Sequence, residues 1–454
     1  MKKTLAQLAA WLKISEQEHE DTVVTGISID TRTIEPGDLF VPFRGEKANG
    51  HRFVEQAFEK GAAASLWLKD EPNPPQGRPL IFVDDAEAAL QQMAVAYRSE
   101  HKATFIGITG SNGKTSTKDI LAGALSPYFK VQKTIGNFNN QLGLPITILQ
   151  LDEDTEVSVL EMGMSGFGEI ELLTRIARPH LAIITNIGEA HMQELGSREG
   201  IAQAKYEITK GLLEEGVLFY DGDEPLLRKQ VAEDAYTETM SFGFGEENTL
   251  AAAHIETTET GSRFRTKGLI EGTFDISVLG EHQVKNTLAA MLVCKALGLT
   301  DDQIRTSLQQ VSLTDMRMQL VPVENGPLFI NDAYNAAPTS MRAAIRFIKS
   351  TNMRPEKWLV LGDMLELGED ERAFHEQMAE EIDASIARVC LYGPRMKWLY
   401  EKLQSAFDAS RLVYTETDYA PIIEAIRRDA DEHTLILLKG SRGMKLEEIV
   451  NTFK

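Results

Sequence analysis

The chain has 454 residues, which at roughly 150 residues per domain predicts about three domains. Hydrophobic residues make up 43% of the chain and charged residues 25%, as in ordinary globular proteins with several buried cores. The formal net charge of −21 argues against a nucleic-acid-binding surface, which would need clustered lysine and arginine. Cys294 and Cys390 lie far apart in apolar stretches, so we expect buried free thiols rather than a disulfide framework or a metal set.

The N-terminus could be a signal peptide, but its pattern favours a short amphipathic helix. Leu5, Leu8, Ala9 and Leu12 recur at helical spacing, and Lys13 then ends the apolar run. No apolar run of the sequence reaches the length needed to cross a bilayer. We therefore expect a cytoplasmic protein without stable membrane insertion.

Residues 1–83 are predicted to form a small mixed α/β domain. Short strands alternate there with a helix, and proline-rich loops separate the elements. The expected strands lie at 26–30, 39–41 and 80–83, and the expected helix at 53–60.

Residues 84–314 are predicted to form a central domain built on a parallel sheet. The domain opens with a helix over 86–97, whose N-cap is expected to be Asp84 or Asp85. Apolar strands without polar alternation, separated by helical stretches, are typical of a sheet covered on both faces. These strands are expected at 104–109, 157–160, 181–187 and 217–220. An alternating, Thr-rich antiparallel patch and a helix are expected at 250–279 and 283–297.

Residues 315–454 show a regular alternation of strands and helices, which predicts an open Rossmann-like sheet. Strands are expected at 328–331, 358–361, 388–392, 411–414 and 434–438, and helices near 338–349, 370–384, 395–406 and 418–429. No G-x-G-x-x-G pattern follows the first strand, so no dinucleotide site is predicted there. The expected fold class is therefore α/β with three domains.

The strongest single motif is Thr109-Gly-Ser-Asn-Gly-Lys-Thr-Ser, between a predicted strand and a predicted helix. Backbone N–H groups of such a turn can wrap a phosphate chain, Lys114 can reach the β- and γ-phosphates, and the Thr115 hydroxyl can bind Mg²⁺. The first glycine of the usual P-loop would fall at Ile108, so an ordinary glycine-rich turn is the alternative. We predict ATP binding by the whole turn: Gly110, Ser111, Asn112, Gly113, Lys114, Thr115 and Ser116.

Two further strand ends carry polar groups. Glu161 ends one predicted strand, and His191 follows the next. Because the carboxyl ends of parallel strands meet at one edge of the sheet, these groups are expected near the phosphate-binding turn. A carboxylate suits Mg²⁺, whereas a histidine is a less usual ligand, so His191 either binds metal or caps backbone. Lys205 follows on a helical stretch, where a surface salt bridge is its ordinary interpretation.

In this order, the motifs resemble the Mur ligase family, which also includes folylpolyglutamate synthase. T-G-x-x-G-K-T is that family's version of the P-loop, which accounts for the irregular first glycine. The resemblance covers nearly the whole chain. It implies an N-terminal domain for a UDP-sugar, a central ATPase domain and a C-terminal Rossmann-like domain that closes over the nucleotide. The implied activity is an ATP- and Mg²⁺-dependent ligase that joins a carboxylate to an amine through an acyl-phosphate.

The resemblance also implies roles for single residues in catalysis. Residues 136–145 are similar to the family's asparagine loop near the γ-phosphate, with Asn140 as the expected catalytic member. Glu161 and His191 match its magnesium-associated pair. Lys205 matches the lysine that becomes a carbamate in relatives, where the added negative charge could ligate or orient a second Mg²⁺.

On the nucleotide side, Gly280-Glu-His-Gln-Val-Lys-Asn resembles the family's H-x-x-x-N element, which makes Asn286 an expected ATP-binding residue. Gln283 stands where relatives commonly have asparagine. Arg317 and Asp332 look like the third-domain groups for phosphate and ribose.

The two ends of the chain indicate which branch of the family it resembles. Ile29-Asp-Thr-Arg and Gly50-His-Arg-Phe are similar to the uridine-binding start of two of the peptide ligases, with Ser28, Arg32 and His51 as candidates for the UDP-substrate. Near the other end, Gly362-Asp-Met-Leu-Glu-Leu-Gly-Glu and Lys439-Gly-Ser-Arg-Gly-Met look like the branch that adds D-alanyl-D-alanine. The implied substrates are UDP-N-acetylmuramoyl-tripeptide and D-alanyl-D-alanine, and we expect a monomer.

Two alternatives remain open at this stage. One is a folylpolyglutamate-synthase-like ligase, which needs no uridine-binding domain ahead of its P-loop, whereas about a hundred residues precede the motif here. The other is a regulatory P-loop module that binds ATP without ligation. That function would leave Glu161, His191 and Lys205 without a task. The sequence leaves the third residue of the tripeptide open between diaminopimelate and lysine.

Overall fold

The computed structural model describes residues 1–15, 18–45, 48–189, 191–234, 237–258 and 260–454. The chain divides into two compact units, each built from several chain segments. Unit 1 comprises Met1–Thr109, Tyr128–Ala182 and Glu207–Leu218, and unit 2 comprises Gly110–Pro127, Ile183–Tyr206 and Phe219–Lys454. Both units combine helices with parallel strands, so the predicted α/β class is confirmed.

The part of unit 1 that precedes the glycine-rich turn is a mixed α/β segment, as predicted. Its elements are β1 (Lys3–Thr4), α1 (Leu5–Trp11), β2 (Val23–Val24), β3 (Gly26–Ser28), β4 (Asp38–Phe40), a 3₁₀ turn (Gly50–Phe53), α2 (Val54–Glu59), β5 (Ala64–Leu68), β6 (Leu80–Val83), α3 (Ala86–Glu100) and β7 (Thr104–Thr109). Strands β3, β4, β5 and β6 form a parallel sheet in that order. The predicted N-terminal helix is confirmed as α1, with Leu5, Leu8 and Ala9 buried.

The elements of residues 110–314 follow the predicted alternation closely. They are α4 (Lys114–Leu125), β8 (Val131–Lys133), α5 (Gly143–Leu149), β9 (Val157–Glu161), α6 (Glu169–Ala177), β10 (Leu181–Ile184), α7 (Met192–Leu195), α8 (Arg198–Tyr206), a 3₁₀ turn (Glu207–Gly211), β11 (Val217–Asp221), α9 (Pro225–Glu233), β12 (Glu238–Gly243), β13 (Leu250–Thr257), β14 (Ser262–Gly268), β15 (Gly272–Ile276), α10 (Glu281–Ala296) and α11 (Asp301–Leu308). In unit 1, β7 and β8 both pair with β9 in parallel. In unit 2, β13, β14 and β15 pair antiparallel, which confirms the predicted antiparallel patch.

The C-terminal part of unit 2 is a six-stranded, mostly parallel sheet. Its elements are β16 (Gln319–Pro322), β17 (Leu328–Asp332), α12 (Pro338–Ser350), β18 (Glu356–Gly362), a 3₁₀ turn (Gly368–Asp370), α13 (Glu371–Gln377), a 3₁₀ turn (Met378–Glu381), β19 (Arg388–Tyr392), α14 (Met396–Leu403), a 3₁₀ turn (Ala409–Arg411), β20 (Leu412–Thr415), α15 (Ala420–Asp429), β21 (Thr434–Lys439), a 3₁₀ turn (Arg442–Met444) and α16 (Glu447–Asn451). The strand order is β16-β17-β21-β18-β19-β20, and the edge strand β16 is antiparallel to β17.

Apolar side chains cover both faces of this sheet. Because side chains alternate along a strand, Phe329 and Ile330 of β17 enter different core clusters. Trp358 and Leu359 of β18 divide in the same way. Each cluster also contains helical residues, so helices pack on both faces, as the apolar strand pattern predicted.

Both cysteines are buried free thiols, as predicted. Burial raises the pKa of the Cys294 thiol and of the Cys390 thiol to about 12. Neither thiol is therefore a reactive thiolate at neutral pH. Within the described residues, every helix is too short or too polar to cross a membrane.

Candidate active site

The glycine-rich turn joins β7 to α4, and two of its glycines are required by its geometry. Gly110 has φ +150°, and a Cβ there would overlap the Thr185 hydroxyl oxygen. Gly113 has φ +80°, a left-handed conformation that L side chains rarely adopt, and its Cβ would lie 2.6 Å from Asn286 Oδ1. Ile108 is a buried strand residue, so the turn proper begins at Gly110.

Helix α4 begins without a side-chain N-cap. Its N-cap is Gly113, which has no side chain to accept from the first N–H groups. The N-terminus of a helix carries partial positive charge, so this end favours an anion such as phosphate. Lys114 Nζ donates to Gly110 O at 2.8 Å, across the mouth of the turn. The geometry therefore fits the phosphate-binding role predicted for residues 110–116.

The segment after β10 holds the turn in place within unit 2. Ser111 N donates to Asn186 O at 3.2 Å, and Asn112 N donates to Asn186 Oδ1 at 3.0 Å. The Thr185 hydroxyl donates to Asn112 O, and Gly188 N donates to Ser111 Oγ at 2.9 Å. Asn112 Nδ2 is buried and has no hydrogen-bond partner among the described residues.

Thr185 and Asn186 are site residues that the sequence interpretation missed. They stand in Leu-Ala-Ile-Ile-Thr-Asn-Ile-Gly, and two polar residues at the end of an apolar strand were the available signal. The strand predicted at 181–187 ends at Ile184, and Thr185 and Asn186 bond to the glycine-rich turn.

Helix α10 supplies polar side chains beside the first turn of α4. Gln283 Nε2 donates to Ser116 Oγ at 3.2 Å, and Gln283 Oε1 accepts from Asn286 Nδ2 at 3.0 Å. Gln283 thus links Asn286 to Ser116 in the first turn of α4. Burial lowers the pKa of His282 to about 4, so this imidazole is neutral at physiological pH.

In unit 1, Glu161 ends β9 at the same edge at which β7 ends. It pairs in register with Ile108, two residues before the glycine-rich turn begins. Its carboxylate oxygen Oε1 accepts from Asn139 Nδ2 at 2.9 Å, and its backbone N donates to Thr134 Oγ1 at 2.9 Å. Glu161 is buried, so the Asn139 bond fixes the orientation of a carboxylate that could bind a cation.

In the asparagine loop, residues 136–145, one asparagine bonds the start of a helix and its neighbour bonds Glu161. Asn140 Oδ1 accepts from Leu142 N and Gly143 N, at 3.2 and 2.9 Å, and so caps the start of α5. Asn139, which bonds Glu161, is the neighbour that the sequence interpretation did not name, since it named Asn140. The catalytic role of Asn140 stays a prediction.

His191 and Lys205 lie in unit 2 on the chain segment that follows β10. His191 precedes α7 with φ +67°, a left-handed conformation that is uncommon outside glycine and that asparagine, aspartate and histidine adopt more often than other residues. Lys205, on α8, is 1% exposed, which excludes the surface salt bridge as its interpretation. Burial, together with the nearby charge of Lys114, holds the pKa of Lys205 well below its usual range.

The described residues contain no cluster of three or more His, Cys, Asp or Glu side chains that could hold a metal ion. Mg²⁺ bound with a nucleotide typically takes one or two protein ligands and completes its shell with phosphate oxygens and water. The predicted set of Thr115, Glu161, His191 and a carbamylated Lys205 would suit that chemistry if two Mg²⁺ ions shared it, and it stays a prediction.

The C-terminal candidates lie at the carboxyl end of β17. Asp332 Oδ2 accepts from Lys439 Nζ at 2.6 Å, and Asp332 Oδ1 accepts from Met318 N at 3.2 Å. The Arg317 guanidinium lies 4.3 Å from the centre of the Tyr334 ring. Its Nε is buried with no hydrogen-bond partner among the described residues. Lys439 begins the motif Lys-Gly-Ser-Arg-Gly-Met, and nothing in that motif predicted its pairing with Asp332.

The three candidates for the UDP-substrate differ in accessibility. Arg32 is largely exposed and ion-paired with Asp30. Ser28 is buried, with Oγ 3.1 Å from Thr33 Oγ1. His51 is also buried; its Nε2 accepts from the backbone N of Leu68 at 3.3 Å. These bonds give Ser28 and His51 structural roles, and substrate binding by the three residues stays a prediction.

The fold and this turn define an α/β protein with a P-loop-like turn between β7 and α4. Three family models match successive parts of the chain. Residues 23–98 match the model of the Mur ligase family catalytic domain, and residues 108–294 match that of the Mur ligase middle domain. Residues 316–442 match the model of the Mur ligase glutamate ligase domain. The UDP-N-acetylmuramoyl-tripeptide–D-alanyl-D-alanine ligase of Bacillus subtilis is 46% identical over 99% of this chain and 98% of its own length. The chain therefore belongs to the Mur ligase family.

Solved structures agree with this assignment. A MurF crystal structure from Acinetobacter baumannii has a TM-score of 0.88 at 28% identity and covers 100% of this chain and 99% of its own. The MurF ligase of Thermotoga maritima in complex with ADP has a TM-score of 0.84 at 28% identity, over 95% of this chain and 97% of its own. The predicted three-domain α/β fold is confirmed by these matches.

Proposed function

We propose that this chain is the ATP-dependent ligase that adds D-alanyl-D-alanine to UDP-N-acetylmuramoyl-tripeptide, which yields the pentapeptide precursor of peptidoglycan. The observation that carries the proposal is that identity with the Bacillus subtilis ligase runs through both ends of the chain. The ends matter because, in the resemblance, the N-terminal part selects the carboxylate and the C-terminal part helps to select the amine.

In this proposal ATP binds at the turn between β7 and α4. Gly110 and Gly113 keep the backbone close to the phosphates, and Lys114 offsets the negative charge of the transferring phosphoryl group. Thr115 and Glu161, together with His191, would hold Mg²⁺, which supplies further positive charge to that group. Arg317 and Asp332 serve the nucleotide from the C-terminal part.

The reaction has two chemical steps. The terminal carboxylate oxygen of the tripeptide attacks the γ-phosphorus, the bond to the bridging oxygen breaks, and ADP leaves. The amine nitrogen of the dipeptide then attacks the acyl carbon, inorganic phosphate leaves, and a proton is lost from nitrogen. Water must be excluded throughout, because it would otherwise hydrolyse the acyl-phosphate.

The test is phosphate release by the full chain with a panel of substrates. We expect turnover only when ATP, Mg²⁺, UDP-N-acetylmuramoyl-tripeptide and D-alanyl-D-alanine are present together, because binding of both substrates completes the site. Two tripeptides, ending in diaminopimelate and in lysine, decide which third residue the enzyme accepts. D-Alanine alone should be a poor substitute, since it lacks half of the groups that a dipeptide site engages.

The same panel separates the alternatives. Turnover with glutamate and a folate, but not with the muramoyl-tripeptide, would replace this proposal with a folylpolyglutamate-synthase-like function. ATP binding without phosphate release under every combination would indicate a regulatory module.

A further inference from the structure

Residues 186–189, which follow β10, bond to two other parts of unit 2. Asn186 and Gly188 bond to the glycine-rich turn. The next residue, Glu189, bonds to helix α12: its Oε1 accepts from Arg342 Nη2 at 3.1 Å, and its Oε2 accepts from the Thr339 hydroxyl. These four residues, which end two positions before His191, therefore connect the glycine-rich turn to helix α12.

The ion pair between Glu189 and Arg342 lies in a place where it should be stronger than an ordinary surface ion pair. Thr339 and Arg342 lie at the start of α12, where the helix dipole favours a carboxylate. The side chains of Glu189 and Arg342 are only 15% and 24% exposed, so solvent screens the pair less than it screens a surface ion pair. The two charge-assisted hydrogen bonds on one carboxylate also fix its orientation.

The backbone of His191 is in the left-handed region, which is uncommon for a non-glycine residue. Such a conformation persists where the surrounding contacts determine it. On the far side of His191, Gln193 of α7 packs against Gly368, at which a Cβ would lie 3.2 Å from Gln193 Cβ. Glu189 before His191 and Gln193 after it therefore both contact the C-terminal part of unit 2.

We propose that Glu189 is a positioning residue for the ligase reaction: its bonds to Thr339 and Arg342 hold His191 in its working place and make turnover depend on helix α12. The proposal rests on the proposed function for the reaction that His191 serves. The hydrogen bonds that the structure gives the Glu189 side chain go to α12 and not to the glycine-rich turn. Its removal should therefore lower kcat while ATP affinity is kept.

The experiment compares Glu189→Gln, Arg342→Met and the double variant with the wild type. A displaced active-site group lowers the rate by about tenfold to a hundredfold, so each single variant should lose at least about tenfold in kcat with its KM for ATP unchanged. Because both variants break the same pair, the double variant should lose no more than the worse single one. Arg342→Lys keeps the charge and should retain most of the activity.

The matched control is Arg346→Ala, which removes another α12 ion pair, that of Arg346 with Glu381. It should leave kcat unchanged. Hydrogen exchange of residues 186–195 supplies a second readout that needs no substrate, and it should be faster in Glu189→Gln and unaltered in Arg346→Ala. Thermal midpoints of all variants confirm folding.

Wild-type kcat in Glu189→Gln and Arg342→Met, additive losses in the double variant, or equal losses in the control would each overturn the proposal. A wild-type protein that fails to ligate the two substrates would instead overturn the proposed function. In that case the exchange comparison still decides whether Glu189 orders the His191 segment, and unchanged exchange in Glu189→Gln would end the idea.

Discussion

At the scale of single residues, the burial of Lys205 has the largest chemical consequence. Desolvation and the cation of Lys114 both disfavour a second ammonium group, so the pKa of Lys205 falls well below its ordinary value. The fraction of neutral amine rises with pH through that lowered pKa, and it is therefore larger at neutral pH than for an exposed lysine. A neutral amine is the form that captures CO₂, and the resulting carbamate would be an anion beside a cation.

We accordingly predict that Lys205 is carbamylated and that activity depends on CO₂. Protein prepared in CO₂-free buffer should lose activity and regain it with bicarbonate at neutral pH, without a shift to alkaline pH. Lys205→Ala should be nearly inactive, and short carboxylic acids should restore part of its rate by replacing the carbamate. The measurement is phosphate release, with the carbamate itself detected by ¹³C NMR after ¹³CO₂ labelling. Full activity without CO₂, or without any label on Lys205, would contradict the prediction.

A second residue-scale prediction concerns Lys114 at the glycine-rich turn. Lys114→Ala should reduce kcat by about a hundredfold or more, because a charge aimed at the transferring phosphoryl group is lost. The fold should survive, since the side chain lies at a helix N-terminus, across a turn and not in a core. Lys267→Ala, at a well-exposed lysine paired with Glu246, is the control and should match the wild type. A folded Lys114→Ala with normal kcat would refute the P-loop assignment.

At the scale of elements, α3 shows how a local pattern determines a helix. Its apolar face, at helical spacing in the sequence, is buried: Ala86, Ala89, Leu90, Met93, Ala94 and Tyr97. Of the two predicted caps, Asp85 is the N-cap, and its side chain accepts from Ala88 N at 2.9 Å. Asp84 points to solvent instead and pairs with Lys69. A cap and an apolar stripe are local features, so the sequence alone identified the helix.

Replacement of the cap should loosen only the start of α3. An N-cap aspartate contributes about 1 kcal/mol, so Asp85→Ala should speed hydrogen exchange at the first turn of α3 by about fivefold. Asp84→Ala is the matched control, and its exchange should be unaltered because its ion pair is exposed. Mass-resolved exchange of peptides that cover residues 86–100 makes the comparison. Equal exchange in both variants would show that Asp85 does not stabilise the helix.

Other elements depended on partners distant in sequence and were missed or misjudged. Strand β5 follows a run of alanines that favours a helix by propensity, yet its five residues are buried in a parallel sheet between β4 and β6. The single helix predicted at 370–384 is instead α13 followed by a 3₁₀ turn. Edge strand β16 was not predicted, because it is defined by its pairing with β17 and the local sequence does not show that pairing.

At the scale of the whole molecule, nucleotide and metal should stabilise the fold together. A ligand that binds the folded state at 100 times its Kd adds about 2.7 kcal/mol to the free energy of unfolding. We predict that ATP with Mg²⁺ raises the thermal midpoint, that EDTA removes most of the rise and all turnover, and that added Mg²⁺ restores both. Lys114→Ala should show little rise under any condition. A rise that EDTA leaves intact would mean that Mg²⁺ takes no part in nucleotide binding.

The sequence by itself determined the class of fold, the family and the glycine-rich turn. The class of fold and the glycine-rich turn follow from hydrophobic periodicity, from capping residues and from glycines at positions of positive φ, all of which act within a few residues of the chain. The family was indicated by the resemblance of the ordered motifs, such as T-G-x-x-G-K-T. The sequence also indicated Glu161, His191 and Lys205 as candidate catalytic and metal-binding residues. The tertiary structure decided which neighbours they have: Asn139 on Glu161, Asn186 on the glycine-rich turn, Lys439 on Asp332 and Arg342 on Glu189. It also decided that Lys205 is buried, because burial depends on the packing of segments far apart in the chain, and a lysine in a helix has the same local pattern in a core as on a surface.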